Sequence, residues 1–198
     1  MTDKALTAVL HDLARVLQGI APGQEQLPTP CAAMDVLTLR GHVLGWLHYF
    51  DVALADPAGE QRPDPTQPPA PETGDEIDHL VTTVATAVDT GIDTVTVNMP
   101  RLGGVLPGPV VLDLLISEAL GHGWDLARAT GQPWQPDPAT CERALVTLHA
   151  VVQPAYRGDG LPFGPEVPVA PDAPALDRFV AFTGRDPKWR AAGPADLQ

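Results

Sequence analysis

A helical run between residues 110 and 130 carries a carboxylate and an imidazole among apolar side chains, and this combination restricts how the chain can fold. Glu118 and His122 are four residues apart, so both side chains lie on one face of the helix. An ionised carboxylate that faces a core destabilises the fold unless it is paired or bound to a metal. The segment therefore predicts a buried polar site, with a divalent metal as the first hypothesis.

Apolar residues recur at helical spacing along most of the chain. Proline, glycine or a capping aspartate bounds most of these runs, as is typical of helix ends. The pattern predicts an all-α chain with five long helices and one short helix, over residues 3–20, 35–54, 75–88, 110–130, 138–154 and 175–183.

The segments between these helices are predicted to be irregular. Residues 56–74 are crowded with proline, glycine and polar residues, so we expect no regular element there. The residues Thr94–Val97 alternate like a strand, but the glycines and prolines of Pro100–Pro109 separate them from any partner, and we interpret them as an extended connection. Beyond residue 154 the chain is rich in proline, and we expect this tail to lie along the helices.

The charge balance excludes several classes of partner. With 12 basic and 25 acidic residues, the chain is poorly suited to bind nucleic-acid phosphates or an anionic membrane. It has no run of about 18 apolar residues and no basic start followed by an apolar signal core, so we expect a cytoplasmic protein. Cys31 and Cys141 are too few for a disulfide framework or a thiolate metal cluster, and free thiols are expected.

The second helix offers a further candidate ligand. Winding it at about 100° per residue places His42 at the edge of the apolar arc and His48 on the polar side. Two helices can therefore converge on one ion held by His42, Glu118 and His122. Two imidazoles and one carboxylate suit zinc, nickel or ferrous iron, and they leave coordination positions open for water or substrate.

Other interpretations of these residues stay open. A single histidine such as His42 is often a core or surface residue, and the Glu118–His122 spacing also occurs on exposed helices. We interpret Asp125 and Arg128 as a local ion pair with contacts behind the ligands, and Cys31 as a packed thiol whose proximity to the site is left open. Packing or bystander roles are assigned to Trp124, Trp134, His11, His79 and His149.

Several motifs together resemble a known group of proteins. They are Thr29-Pro-Cys31, Met34-Asp-Val36, Gly41-His-Val43 and Glu118-Ala-Leu-Gly-His-Gly-Trp-Asp-Leu-Ala-Arg-Ala-Thr-Gly131, together with the segment from Phe163 to Pro187. On these motifs the chain resembles the actinobacterial DinB-like metal-binding proteins, which are relatives of mycothiol-dependent maleylpyruvate isomerase. The likeness runs over nearly the whole chain, although the group often has tryptophan at the position of Met34.

The resemblance implies a DinB/YfiT-like four-helix bundle with a short additional helix and a proline-rich C-terminal tail. It implies a single domain over residues 1–198, with the bundle in 1–153 and an extension, 154–198, packed on it. It also implies that the metal ligands are His42, Glu118 and His122. We expect the chain to lack the separate C-terminal domain of the isomerase, so the likeness does not carry that enzyme's substrate with it.

Three functions are compatible with this resemblance. The first is a mycothiol-dependent S-transferase or isomerase that directs a metal-bound thiol at a small electrophile. The second is a non-catalytic metal-binding or stress-response module, and the third is a metal-assisted hydrolase. Zinc is the first choice of metal, with nickel or iron as alternatives, and the chain is expected to be a monomer or a homodimer.

Overall fold

Six α-helices make up most of the part of the chain that the structure describes, as the sequence predicts. The structure is a computed structural model, and it describes residues 3–31, 33–67, 75–158 and 160–191. The helices are α1 (Lys4–Gln18), α2 (Val36–Ala55), α3 (Glu76–Asp89), α4 (Gly108–Thr130), α5 (Pro138–Val151) and α6 (Ala175–Phe182).

The helix ends follow from local chemistry. Asp3 and Asp35 cap α1 and α2, because each carboxylate accepts a hydrogen bond from a backbone N–H three residues later, at 3.1 and 2.8 Å. The last carbonyls of α4 are followed by Gly131 in the left-handed conformation, with φ of 73°. The helices α1 to α5 thus begin and end within a few residues of the predicted positions.

Helices α1 to α4 form a four-helix bundle. α4 packs against both α1 and α2, and α3 closes the bundle by contacting α2 and α1 on the other side. The leucines that fill the interior are fully buried, and burial of each contributes about 1.5 to 3 kcal/mol. Buried leucines in this core include Leu6, Leu10, Leu13, Leu39, Leu115 and Leu120. The all-α prediction is confirmed.

The prediction for Thr94–Val97 is wrong in one respect, because the structure gives this region a strand partner. Strand β1 (Thr96–Met99) pairs antiparallel with β2 (Gly104–Pro107) in a two-stranded sheet. A short turn joins them, and it relies on Gly103 and Gly104, whose φ angles are 98° and 112°. The glycines that seemed to isolate the strand are the residues that build its hairpin.

The connection after α2 has no regular element over residues 56–67, as predicted, while residues 68–74 of the same prediction lie outside the described residues. Arg62 Nε donates to the carbonyl of Asn98 on β1 at 3.0 Å, and Asn98 Nδ2 donates back to the carbonyl of Gly59 at 3.0 Å. The carbonyl of Pro65 then lies directly against Gly45 of α2. The segment is thereby held against the hairpin and the bundle.

The C-terminal part of the described chain packs through its helices. α5 packs on α4, and α6 packs on α5 through the buried Phe179 and Phe182. Arg178 of α6 also pairs with Glu142 of α5. The proposed division at residue 153 into a bundle and an extension stays a prediction. Among the described residues, no helix has the length and apolar character needed to cross a membrane.

Replacing Gly45 by alanine should destabilise the protein. An alanine in a helix is normally favoured over glycine by about 1 kcal/mol. Here the added methyl group would overlap the Pro65 carbonyl oxygen, so a net loss of roughly 1 to 3 kcal/mol is expected in urea unfolding. Gly121→Ala is the matched control, because its methyl group would meet the nearest atom at an ordinary 3.6 Å. Equal stability changes in the two variants would contradict this packing.

Candidate metal centre

The packing of α2 against α4 brings the three predicted ligands together. His42 Nε2 lies 3.7 Å from Glu118 Oε1, and His122 Nε2 lies 3.4 Å from the same oxygen. One ligand atom from each of the three residues lies within 4.8 Å of the others. The two imidazole rings meet edge to face, with their centroids 4.9 Å apart.

One oxygen of the Glu118 carboxylate, Oε1, is buried without a hydrogen-bond donor among the described residues. An unsatisfied buried oxygen of this kind is costly, and the cost falls when a cation binds there. Tetrahedral ligands at about 2.0 to 2.2 Å from zinc lie about 3.3 to 3.6 Å apart, which is close to the two distances seen at this oxygen. The residues present therefore fit a divalent metal.

The cluster is closed on one side and open on the other. The side chains of His122, Glu118 and His42 are 12%, 20% and 28% exposed, so accessibility increases from α4 towards α2. Burial lowers the pKa of His42, while the carboxylate of Glu118 opposes this effect. Since a neutral imidazole is the form that binds metals, this environment suits a ligand that remains reachable from solvent.

His122 is oriented by a carboxylate on its own helix. Its Nδ1 atom lies 3.1 Å from Oδ2 of Asp125, which is fully buried. An ionised carboxylate only accepts hydrogen bonds, so this contact favours the neutral tautomer that carries its proton on Nδ1 and has a free lone pair on Nε2. That lone pair points to the side of the ring where Glu118 lies. A carboxylate behind a histidine is a common support for metal-binding imidazoles.

Asp125 is held ionised by a cation from the C-terminal segment. Arg185 donates from Nε to Oδ1 at 2.8 Å and from Nη2 to Oδ2 at 2.7 Å, and its Nη1 donates to the hydroxyl of Thr183 at 2.9 Å. Burial by itself would raise the pKa of Asp125, but the charge of Arg185 and the hydrogen bonds from His122 and Arg185 hold it below its ordinary value.

Residues 6–127 match the sequence model of a protein family that is described as the mycothiol maleylpyruvate isomerase N-terminal domain. The chain belongs to this family. Two uncharacterized proteins of Mycobacterium tuberculosis, from strains CDC 1551 / Oshkosh and H37Rv, are each 32% identical over 176 residues, covering 87% of this chain and 91% of theirs. No solved structure matches the chain. The family match includes the three candidate ligands and Asp125, and it ends before the C-terminal segment.

In this member of the isomerase-domain family, the predicted ion pair between Asp125 and Arg128 does not form. Asp125 points into the bundle and is fully buried, whereas Arg128 is exposed, and its guanidinium lies 5.4 Å from the ring centroid of Trp124. Asp125 does contact a candidate ligand from behind, as expected. Trp124 is buried, and the ring of Trp134 fills the space beside Gly123, so both tryptophans pack as predicted.

The bystander histidines do not join the cluster. His79 pairs with Asp51 at 3.3 Å, and the ring of His149 contacts Phe182 with centroids 4.2 Å apart. His11 and His48 are exposed.

The sequence left open whether Cys31 lies near the site. In the structure its thiol is close enough to feel the charges of Asp125, Arg185 and Glu118. Burial raises the pKa of its thiol, and the charges of Asp125 and Glu118 raise it further against the opposing charge of Arg185. The thiol is therefore protonated at neutral pH. Burial likewise raises the pKa of Cys141 to about 12. Both cysteines are free, as expected.

Sequence reasoning missed Arg185. It is 60 residues from its partner Asp125, and no local spacing links the two. The available signal was an arginine directly after a Thr-Gly helix end. Such a position directs a cation back towards the body of the protein once the helix is docked.

Replacing Asp125 by asparagine should destabilise the metal-free protein by roughly 3 kcal/mol at pH 7, because a buried arginine loses its counter-charge. The folded pKa of Asp125 is lowered, so its contribution is present above about pH 4 and is lost as the pH falls through the folded value. The difference in unfolding free energy between parent and Asp125→Asn, measured with a chelator present, should therefore shrink as the pH falls below about 4.

The control is Asp12→Asn, which removes an exposed ion pair with Arg15 at 3.4 Å. It should change stability by less than about 1 kcal/mol. A difference between parent and Asp125→Asn that does not vary with pH would show that folding leaves the pKa of Asp125 unchanged, and one that grows as the pH falls would show that folding raises this pKa.

Proposed function

We propose that this protein binds one divalent metal through His42, Glu118 and His122. The proposal is carried by the shielded Oε1 of Glu118, which has no donor among the described residues and is faced by two imidazole Nε2 atoms. Zinc suits this ligand set best, and nickel and ferrous iron also accept two imidazoles and a carboxylate. Three protein ligands leave coordination positions free on the exposed side.

We further propose that the bound metal serves a thiol-dependent reaction, with mycothiol as the cosubstrate. The family description names this thiol and the isomerisation of maleylpyruvate. A divalent metal supplies Lewis acidity that favours the thiolate form of a bound thiol at neutral pH. The protein would then act in the cytoplasm as an S-transferase or isomerase on a small electrophile.

The chain's own residues would hold and orient this chemistry. Asp125 fixes the ring of His122, and His42 presents the more exposed side of the cluster. Beside it, the half-buried ring of Trp46 lies with its centroid 6.3 Å from that of His42. This ring offers an apolar wall next to the open side, where a small organic molecule would displace water.

The hydrolase alternative finds less support around the cluster. A metal-assisted hydrolase commonly uses a further base to accept the proton of water. The other ionisable groups described at this site are Asp125, engaged by two partners, Arg185, and Cys31, whose thiol has a raised pKa. The non-catalytic module shares the same ligands, and turnover experiments separate it from the enzyme.

Metal content is the first test. The gently purified parent should carry about one zinc, nickel or iron per chain by elemental analysis, and His122→Ala should carry little. His48→Ala is the matched control, because it removes an exposed histidine from α2, the helix that carries His42, and should retain the metal. A parent that takes up no metal even after reloading would refute the site.

Thiol dependence is the second test. The metal-loaded parent should isomerise maleylpyruvate, or conjugate a chromogenic aryl chloride, only when mycothiol is added. In the conjugation the sulfur bonds to the ring carbon, chloride leaves and the thiol proton passes to solvent. Glu118→Gln should reduce both rates to those measured without protein. Turnover of an ester without thiol would favour the hydrolase, and metal-dependent stability without any turnover would favour the non-catalytic module.

A further inference from the structure

We propose that residues 175–185, which comprise α6 and the turn that follows it, are a functional part of the metal centre. In this proposal Arg185 is a positioning residue whose docking is coupled to metal binding. This inference rests on the metal site proposed above. It assigns a role to a residue that lies outside the family match over residues 6–127.

The fold of the segment directs Arg185 back to α4. After α6 the chain turns at Gly184, whose φ is 92° and whose backbone packs closely against that of Gly164. The N–H of Arg185 donates to the carbonyl of Val180 at 3.0 Å, which ties the turn to α6. The guanidinium then rests on α4 over Gly121, at a distance that leaves no room for a large side chain there.

The guanidinium acts on the ligand His122 through Asp125, and its Nη2 atom also lies 3.3 Å from Nδ1 of His122. Its fork binds both oxygens of Asp125, at 2.8 and 2.7 Å, and Asp125 Oδ2 lies 3.1 Å from Nδ1 of His122. The side chain of Arg185 is 13% exposed and that of Asp125 is fully buried, so bulk water does not substitute readily for either contact. Two hydrogen bonds fix the plane of the carboxylate, and the carboxylate fixes the plane of the imidazole.

Two physical effects of Arg185 on metal binding have opposite signs. As a positive charge 3.3 Å from His122 Nδ1, it repels a cation held by that ring, and its removal would strengthen metal binding. As the group that orients Asp125, it supports the ligand geometry, and its removal would weaken metal binding. We infer that orientation dominates, because the guanidinium charge is already offset by the carboxylate it grips.

Coupling of this kind is reciprocal. If docking of the segment strengthens metal binding, then metal binding must strengthen docking of the segment by the same factor. Amide hydrogens in residues 175–185 should therefore exchange more slowly when zinc is bound. This readout is independent of catalysis and reports on the segment itself.

The test measures zinc affinity by competition with a chromogenic chelator for the parent, Arg185→Ala and Arg185→Lys. Both variants should bind zinc about 10- to 100-fold more weakly than the parent. Lysine keeps the positive charge but cannot form the two-pronged contact. Weaker zinc binding by Arg185→Lys would therefore be an effect of orientation and not of charge. Circular dichroism in chelator establishes that each variant is folded before its affinity is compared.

Lys188→Ala is the matched control. It removes an exposed cation three residues after Arg185 and leaves the contacts of α6 with α5 in place. The zinc dissociation constant of this variant should lie within about twofold of the parent's, which corresponds to a small coupling energy. In parallel, zinc should slow hydrogen exchange over residues 175–185 in the parent and have a much smaller effect in Arg185→Ala.

Each contrary result has a distinct meaning. Unchanged or tighter zinc binding in both Arg185 variants, or no effect of zinc on exchange over 175–185, would overturn the coupling and leave the metal site intact. A parent that binds no zinc would overturn the metal site and the coupling together. A parent that binds zinc and shows the coupling but has no thiol-dependent turnover would overturn only the proposed enzyme.

Discussion

The structure is organised around the need to accommodate a carboxylate inside a helical bundle. The side chain of Glu118 extends from α4 towards α2, and its Oε1 atom is shielded from solvent with no hydrogen-bond donor among the described residues. The imidazoles of His42 and His122 line the same space. These three polar side chains can together bind a cation, whereas they would be unfavourable in an apolar core. The close packing of α2 on α4 determines whether these three groups can meet.

α4 carries most of the metal centre because glycines lie between its ionisable residues. Between Glu118 and Asp125 it has Gly121 and Gly123, and each glycine leaves space for a side chain from elsewhere. The guanidinium of Arg185 lies over Gly121, and the ring of Trp134 lies over Gly123. The helix therefore accepts its supporting contacts from segments that follow it in the chain, while its own side chains build the site.

Sequence periodicity was sufficient to predict the helices and to select the three candidate ligands. The apolar arc of α2 separated His42 from His48, and the four-residue spacing on α4 paired Glu118 with His122, because both features are local to one helix. The β1–β2 hairpin was missed because its turn glycines also read as chain breaks. The pairing of Asp125 with Arg185 was missed because it depends on how α6 docks, which no spacing within α4 can reveal.

The pairing of Asp125 with Arg185 is better explained by orientation than by stability. A buried ion pair recovers by attraction about as much as it loses by desolvation, and well-packed apolar residues of similar size often serve equally well. Apolar residues at these two positions could fill the same volume, but they could not hold the proton on Nδ1 of His122 or fix the plane of its ring. What only this pair supplies is therefore a free Nε2 lone pair on His122 that points in a fixed direction. This orientation matters for function only when a ligand such as a metal ion binds to that lone pair.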